Sequence, residues 1–256
     1  MPSSIYPSYD VIAPIRAKET WNQQTTEAIL LILKKLMLEY LPEGANILDL
    51  CCGTGHLIQL LDKNGYKMTG LDGSETALAY AREKTPHAEF LLADARSFEL
   101  PSMFHGVISQ TALPMITNLE DLTNVFRNVY LGLRKNGIFA FNIALEEENS
   151  KVPEEYIRAD VQDDYAWCLR YLSNQQERTY DVKVTSFELL NGTWQRSDTS
   201  WLVRVYTKEE VELALKNAGF TEINHYNLDQ ELGFSIEGDQ DIFVCRKTSL
   251  YSDQIN

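Results

Sequence analysis

The segment from Asn46 to Leu57 constrains the fold of this 256-residue chain more than any other stretch of its sequence. Its apolar beginning, Asn46 to Leu50, predicts a buried strand, and the apolar-periodic residues that start at Leu57 predict a helix. Between them stands a Gly-x-Gly turn, Gly53 and Gly55, where the missing side chains let a ligand approach the backbone. Because a helix N-terminus presents free backbone N–H groups, the segment predicts a nucleotide-type ligand at the end of this strand.

Two common nucleotide-binding motifs do not fit the residues around this turn. The dinucleotide fingerprint requires a third glycine, but Ile58 occupies that position, so a nicotinamide cofactor is kept only as an alternative. A P-loop is excluded because no Gly-Lys-Ser or Gly-Lys-Thr follows. The next predicted strand, Tyr66 to Leu71, ends at Asp72, where a carboxylate is well placed to accept hydrogen bonds from both hydroxyl groups of a ribose.

Three motifs of the chain resemble those of the class I S-adenosylmethionine-dependent methyltransferases: Leu48–Gly55, Gly70–Ser74 and Leu92–Ala95. The segment from Leu133 to Phe139 resembles the turn before the family's fifth strand, and the resemblance covers roughly residues 40–145 and 206–246. One position departs from the pattern, since the family often has glycine where this chain has Cys51. Cysteine is small and tolerates a buried strand end, so we expect a slightly altered turn that still binds the cofactor.

The resemblance implies S-adenosylmethionine as the cofactor. Asp49 would face its methionine ammonium group, Asp72 would hold its ribose, Asp94 would accept a hydrogen bond from the adenine amino group, and the Ala95 amide would donate to a ring nitrogen. The residues expected to bind the cofactor are Asp49, Cys51, Gly53, Gly55, Asp72, Gly73, Asp94, Ala95 and Gln110. In the leader, Tyr9 and Arg16 either close over the cofactor carboxylate or pack on the surface.

A catalytic base is harder to identify in this sequence. Among its four histidines only His56 lies near the glycine turn, and a role as a helix-start residue is its alternative. Gln110, with Ser109 and Thr111 at the end of the fourth predicted strand, would line the route between cofactor and acceptor. An amine acceptor can lose its proton to water, whereas an oxygen acceptor usually needs a base. The lack of a His–acid pair therefore favours nitrogen, or a carboxylate that is already ionised.

Charge and composition narrow the class of partners. The net charge of −14 argues against a nucleic-acid substrate, because phosphate binding needs a basic surface. No run of about eighteen apolar residues predicts a membrane span, and no spacing of ligands predicts a metal site. Four cysteines without a Cys-x-x-Cys motif favour a reducing, cytoplasmic location.

The alternation of strand and helix signals predicts a doubly wound α/β fold. We expect a mostly parallel seven-stranded sheet in one domain made of residues 1–145 and 206–256, with a helical leader that includes a helix from about Thr25 to Tyr40. Strand five is predicted over Ile138 to Ala144. The last two strands, Thr221 to Tyr226 and Asp241 to Arg246, lack a clear helix between them and are expected to form an antiparallel hairpin.

Residues 146–205 break this alternation and predict an antiparallel β insert. Aromatic and apolar residues recur there at period two, and Asn191-Gly192 is a strong hairpin signal between two such runs. We expect a three-stranded meander. Its large aromatic residues either pack the insert onto the main sheet, or make it a lid over the acceptor pocket or the face of a homodimer. The residues in question are Tyr165, Trp167, Tyr171, Tyr180, Phe187, Trp194, Trp201 and Tyr206.

The sequence thus predicts a methyltransferase that acts on a small polar metabolite at nitrogen or oxygen. The second hypothesis is a protein that binds the cofactor without turnover, as a regulatory or dimeric partner. Both hypotheses share the acidic residues of the cofactor site, so only turnover distinguishes them.

Overall fold

The computed structural model describes residues 3–19, 23–143, 145–146, 155–228 and 241–248. The α-helices in these ranges are α1 (Pro7–Asp10), α2 (Ala13–Lys18), α3 (Gln23–Leu36), α4 (His56–Asp62), α5 (Glu75–Lys84), α6 (Leu119–Gly132) and α7 (Lys208–Ala218). Short 3₁₀ turns lie at Leu38–Tyr40 and Leu113–Met115. The strands are β1 (Asn46–Leu50), β2 (Lys67–Asp72), β3 (Glu89–Leu92), β4 (Phe104–Ser109), β5 (Leu133–Asn142), β6 (Glu155–Val161), β7 (Tyr165–Asn174), β8 (Thr179–Leu190), β9 (Thr193–Arg204), β10 (Glu222–Asn227) and β11 (Asp241–Arg246).

The main sheet has seven strands in the order β10-β11-β5-β4-β1-β2-β3. Neighbouring strands from β5 to β3 run parallel, whereas β11 runs antiparallel to both β5 and β10. The predicted doubly wound sheet and its antiparallel final hairpin are therefore confirmed. The chain order reverses on either side of β1, since β2 and β4 both pair with it. In open α/β sheets a ligand crevice lies outside the carboxyl ends of the strands at such a reversal.

Both faces of the central strands are buried under helices. One apolar cluster joins Leu48 and Leu50 of β1 to residues of α6 and α7, and the other joins Ile47 to residues of α3, α4 and α5. Leu48, Leu50 and Ile47 have no solvent exposure. A strand that is buried on both faces has a nearly continuous apolar sequence. The sequence therefore predicts β1.

The insert contains four antiparallel strands in the order β6-β7-β8-β9, so the prediction of three strands is wrong. The missed strand, β6, lies at the edge of this sheet, and its apolar residues Ile157 and Val161 are 54% and 74% exposed. In this edge strand the apolar residues are exposed and the polar residues Arg158 and Asp160 are partly buried, which is the reverse of the burial pattern that identifies a strand. The hairpin at Asn191 and Gly192 is confirmed, and its positive φ values of 51° and 78° are those of a type I′ turn.

Several predicted boundaries shift in the structure. The first long helix ends at Leu36 and is followed by a separate 3₁₀ turn. Strand β5 begins at Leu133, because its first residues pair with β4 before a register shift between Phe104 and Gly106. Residues 147–154 and 249–256 lie outside the described residues, so the division into 1–145 with 206–256 and the insert 146–205 stays a prediction. None of the helices in the described ranges has the length and apolarity that a membrane crossing requires.

The leader connects the two sheets. The backbone N–H of Ile5 donates a hydrogen bond to Gly73 O beyond the end of β2 at 2.7 Å. The Thr199 hydroxyl of β9 donates to Ser8 O at 3.0 Å, and Ile12 packs in one apolar cluster with residues of β7 and β8. The leader, the carboxyl ends of the main strands and the inner face of the insert therefore enclose a shared space.

Candidate active site

A cavity of about 730 Å³ occupies the space between the main sheet, the leader and the insert. Its floor comes from the carboxyl ends of β1, β2 and β4, including Asp49, Asp72 and Gln110. The opposite wall comes from the inner face of the insert sheet, including Tyr171 and Trp201. One space thus spans the predicted cofactor residues and the predicted lid.

The turn after β1 holds the backbone in the left-handed region at several residues. Cys51, Gly53 and Gly55 have φ values of 61°, 52° and 79°. Gly55 begins α4, and a Cβ there would approach the Cβ of Ala81 to 2.9 Å, so the glycine permits close packing of α4 on α5. Cys51 adopts a conformation that glycine adopts freely but that an L residue enters at a cost of roughly 1–2 kcal/mol. The turn therefore carries this strain at Cys51, and the expectation of a slightly altered turn that still binds the cofactor stays a prediction.

Asp72 is held by the backbone of two turns. Its Oδ2 accepts a hydrogen bond from Gly53 N–H and its Oδ1 accepts one from Ser74 N–H, each at 2.8 Å. Burial raises the pKa of Asp72, and these backbone donors oppose part of that increase. Ser74 also caps α5, since its hydroxyl accepts a hydrogen bond from Ala77 N–H. The carboxylate is therefore fixed in position at the cavity floor before any ligand arrives.

Asp49 is a buried carboxylate that faces the same cavity. Its exposure is 2%, and no hydrogen bond reaches its side chain from the described residues. Burial, with a further contribution from nearby Asp72, raises the pKa of Asp49 well above its usual range. Two neighbouring acids in a low-dielectric site favour a cationic ligand, because a positive charge compensates the penalty of ionising both. The sulfonium and ammonium groups of S-adenosylmethionine meet this requirement.

Asp94 is not among the residues that line the cavity, but its hydrogen-bond partners Tyr6 and Arg96 are. Its Oδ1 accepts hydrogen bonds from the Tyr6 hydroxyl and the Arg96 backbone N–H, each at 2.9 Å, and its Oδ2 accepts one from the Arg96 guanidinium at 2.7 Å. Burial opposes ionisation of Asp94, but the hydrogen bonds from Arg96 outweigh it and lower the pKa. The neighbours Ala95 and Arg96 line the cavity, so the segment reaches the site mainly through them.

The predicted residues at the end of β4 divide between core and cavity. Ser109 is fully buried, and its hydroxyl has no hydrogen-bond partner within the described structure. Gln110 and Thr111 line the cavity. Thr111 has a φ of 57°, and its N–H donates to the Asn142 side chain at the end of β5. Gln110 thus lines the cavity, and its place on the route between cofactor and acceptor stays a prediction.

His56 lines the cavity near α4 but has several structural contacts. Its Nε2 lies 2.7 Å from Glu19 O and 2.9 Å from Lys84 Nζ, and its Nδ1 lies 3.1 Å from the Thr54 hydroxyl. Burial and the nearby Lys84 lower the pKa of His56. A histidine whose pKa is lowered is a weaker base. This environment therefore favours the alternative in which His56 is a residue at the start of α4 and not a catalytic base.

The leader contributes residues that the sequence could only partly identify. Tyr6, Tyr9 and Arg16 all line the cavity. The Tyr6 ring packs so closely on Gly73 that a Cβ at Gly73 would clash with it. Arg16 forms an ion pair with Glu19, whose carboxylate oxygen lies 2.9 Å from the Arg16 guanidinium. The packing of Tyr6 on Gly73 joins segments far apart in sequence, for which no local pattern exists, whereas the Arg16–Glu19 pair is local.

The aromatic residues predicted for the insert lie in different environments: in the cavity wall, at the surface and in the main core. Tyr171, Tyr180 and Trp201 line the cavity, as the lid hypothesis expects. Phe187 and Trp194 are 38% and 49% exposed. Tyr206 is buried in the main core, and its hydroxyl donates to Ile116 O. Within the described ranges no cluster of three metal-ligating side chains occurs.

Comparisons with known proteins agree with this geometry. A methyltransferase-domain family model matches residues 47–137. YqeM of Bacillus subtilis, which carries the name of a methyltransferase, is 29% identical over 186 residues, or 70% of this chain and 75% of YqeM. An S-adenosylmethionine-dependent methyltransferase structure from Clostridium acetobutylicum has a TM-score of 0.73 at 18% identity, over 93% of this chain and 96% of that chain.

A second solved structure resembles the chain over nearly its whole length. The amino pentose methyltransferase from Micromonospora echinaspora, solved with S-adenosylmethionine bound, has a TM-score of 0.70 at 18% identity and covers 97% of this chain and 98% of its own. The family model matches the segment that contains the glycine turn, Asp49 and Asp72. The two solved structures have the same fold over nearly the whole chain. The matched domain, the relatives and the solved structures together indicate a class I S-adenosylmethionine-dependent methyltransferase, with S-adenosylmethionine as its cofactor.

Proposed function

We propose that the protein transfers a methyl group from S-adenosylmethionine to nitrogen or oxygen of a small-molecule acceptor. The observation that carries this proposal is the single cavity that joins the acidic floor at Asp49 and Asp72 to the insert wall at Tyr171 and Trp201. Such a space can hold a cofactor and an acceptor side by side. The leader and the insert both border this cavity, which favours a metabolite over a macromolecule as the acceptor.

The cofactor supplies a methyl group that is already activated on a sulfonium, so the protein mainly aligns the reactants and excludes water. Asp49 would bind the methionine ammonium group, and Asp72 would accept hydrogen bonds from the ribose. The turn residues Cys51 and Gly53 would let the methionine end approach the backbone. The Ala95 amide would donate to a ring nitrogen of the adenine, and Asp94, held by Tyr6 and Arg96, would accept a hydrogen bond from the adenine amino group.

The environment of the cavity favours a nitrogen acceptor, or an oxygen that is already ionised. His56 is the candidate base that the sequence offered, and its lowered pKa and contacts with Glu19 and Lys84 weaken that role. An amine requires no strong base to lose its proton. The resemblance to an amino pentose methyltransferase supports the same choice at the level of fold.

The cellular location and the partners of the protein are also proposals. The described structure contains four free cysteines, which is compatible with the reducing cytoplasm. The overall negative charge supports a small-molecule partner over nucleic acid. A homodimer formed through the insert stays a prediction, as does the cofactor-binding alternative without turnover.

Two measurements test the proposed function. Isothermal titration calorimetry of the full chain should detect S-adenosylmethionine binding, with nicotinamide dinucleotide binding much more weakly. Incubation with a metabolite extract and S-adenosylmethionine should then produce S-adenosylhomocysteine and a methylated product, both detected by mass spectrometry. Asp62→Ala serves as a control, since Asp62 pairs with exposed His87 away from the cavity. Tighter binding of the nicotinamide cofactor would overturn the proposal, and cofactor binding with no turnover would identify the non-catalytic alternative.

A further inference from the structure

The leader residue Tyr6 bridges the ends of two neighbouring strands of the main sheet. Its backbone N–H donates a hydrogen bond to Gly73 O, directly after β2, at 3.2 Å. Its hydroxyl donates to Asp94 Oδ1, two residues after the end of β3, at 2.9 Å. Because β2 and β3 are parallel neighbours, the Tyr6 side chain lies across the carboxyl ends of both strands, and it lines the cavity there.

The Tyr6 ring takes the space that a side chain at position 73 would occupy. A Cβ added at Gly73 would overlap with the ring carbons of Tyr6. The φ of Gly73 lies outside the left-handed region, so the backbone conformation does not require glycine at this position. The close approach of the ring does require it, and the aromatic surface beside the end of β2 therefore comes from the leader.

The segment that carries Tyr6 is fixed to the start of α5. The Ser4 hydroxyl accepts a hydrogen bond from Glu75 N–H at 2.9 Å and donates one to Asp10 Oδ1 at 2.8 Å. The Ser74 hydroxyl donates to the same oxygen of Asp10. A ring that is held in this way before a ligand arrives loses little further freedom when the ligand packs against it.

The cofactor would bring an aromatic base to the same place. In the proposed function the ribose lies at Asp72, the last residue of β2, and the adenine edge lies at Asp94 and Ala95, just after β3. The base then spans the same two strand ends as the Tyr6 ring. Contact between aromatic rings contributes free energy beyond the area that they bury, and any base can stack on an aromatic side chain because every base has a π-face.

From this arrangement we propose that the Tyr6 ring is a stacking surface for the adenine of S-adenosylmethionine. Gly73 provides the room for the ring, and the hydrogen bond to Asp94 fixes its orientation. The leader is then a component of the cofactor site as well as its cover. This inference rests on the proposed function, because it assigns a residue to the cofactor of that methyl transfer.

Two ligands that share the adenine and the ribose test this role in the full chain. S-adenosylhomocysteine carries the amino-acid part and methylthioadenosine lacks it, and calorimetry measures the affinity of each. Tyr6→Ala should weaken the binding of both ligands by the same factor, on the order of tenfold, because one contact between base and ring is lost. Tyr6→Phe keeps the ring and should bind both ligands nearly as tightly as the wild-type chain.

The other outcomes identify a different role for Tyr6. If Tyr6→Phe lost as much affinity as Tyr6→Ala, the tyrosine would act only through its hydrogen bond to Asp94. If Tyr6→Ala weakened S-adenosylhomocysteine much more than methylthioadenosine, it would act by placing the rest of the leader near the amino-acid part. Tighter binding by either variant would mean that Tyr6 covers the site. Each of these results, or no binding of methylthioadenosine to a wild-type chain that binds S-adenosylhomocysteine, would overturn the proposal.

Two further variants control for general effects of a lost tyrosine. Tyr40 is 61% exposed and does not line the cavity, and its ring lies 5.8 Å from the Arg246 guanidinium, much as the Tyr6 ring lies 5.6 Å from that of Arg96. Tyr40→Ala should therefore change neither affinity.

Gly73→Ala should weaken S-adenosylhomocysteine binding in the wild-type chain, because its methyl group displaces the ring, and should have little further effect in the Tyr6→Ala chain. Equal effects of Gly73→Ala in the two chains would also overturn the proposal. A wild-type chain that binds no S-adenosylhomocysteine would instead contradict the proposed function.

Discussion

The Gly53 backbone N–H donates a hydrogen bond to Asp72 Oδ2 over 2.8 Å, and this bond joins the turn after β1 to the end of β2. The second oxygen of Asp72 is held in the same way by Ser74 N–H. The turn after β1 and the turn after β2 are therefore fixed to each other by one carboxylate. Such preorganisation lowers the entropy that ligand binding has to overcome.

Replacement of Asp72 tests this carboxylate directly. Asp72→Ala should weaken S-adenosylmethionine binding by about 1–3 kcal/mol, because it removes charge-assisted hydrogen bonds to the ribose and frees the Gly53 amide. Calorimetry measures the change, and Asp62→Ala at the surface should have no effect on affinity. An unchanged affinity in the Asp72 variant would show that the ribose binds elsewhere.

The ionised Asp49 side chain should lower the stability of the cofactor-free protein and strengthen the binding of S-adenosylmethionine. Its pKa is raised well above 3.8 in the folded protein, so its contribution to stability is fully present below that value and is lost as the pH rises through the raised pKa. Asp49→Asn should therefore raise the melting temperature of the cofactor-free protein at neutral pH and reduce cofactor affinity. Thermal melts across pH measure the first effect and calorimetry the second. If Asp49→Asn melted at a lower temperature than the wild-type chain at neutral pH, the destabilisation that we assign to ionised Asp49 would be contradicted.

Cofactor binding should also release protons. A cationic ligand stabilises the ionised form of Asp49 and lowers its raised pKa, so affinity for S-adenosylmethionine should increase with pH across that range. Titration in two buffers with different ionisation enthalpies gives the number of protons released. The wild-type chain should release more protons than Asp49→Asn, and equal values in the two proteins would refute the link between Asp49 and the cofactor charge.

The left-handed backbone at Cys51 predicts a stability difference between two small substitutions. Cys51→Gly should be more stable than Cys51→Ala by about 1 kcal/mol, because alanine keeps the Cβ that strains a φ of 61°. Both variants lose the same thiol, so alanine is the matched control. Chemical denaturation measures the difference, and an alanine variant as stable as the glycine variant would show that the turn relaxes.

The parts of the fold that local patterns encode could be predicted from the sequence. The strand Asn46–Leu50, the glycine turn and Asp72 follow one another with the spacing of a buried strand, a tight turn and a second strand. The hairpin at Asn191 and Gly192 has a specific backbone requirement, so it was equally recognisable. In contrast, β6 is an edge strand whose apolar residues are exposed, so it has no buried apolar face, and it was not predicted from the sequence.

Contacts between distant segments could not be predicted in the same way. The Tyr6 hydroxyl reaches Asp94 across 88 residues of sequence, and the Asp94 motif by itself gave no sign that Arg96 and Tyr6 would occupy its oxygens. The packing of Tyr9 against Trp201 depends on where the leader lies between the two sheets. These contacts decide which predicted residues line the cavity, and only the folded chain shows them.

The most direct test of the account is a crystal structure of the full chain with S-adenosylhomocysteine bound. The account predicts that the nucleoside lies in the cavity, with its ribose hydroxyls within hydrogen-bond distance of Asp72 and its ammonium group beside Asp49. The insert residues Tyr171 and Trp201 should then face the sulfur across the remaining space. A ligand bound outside this cavity, or with its ribose away from Asp72, would contradict the central claim.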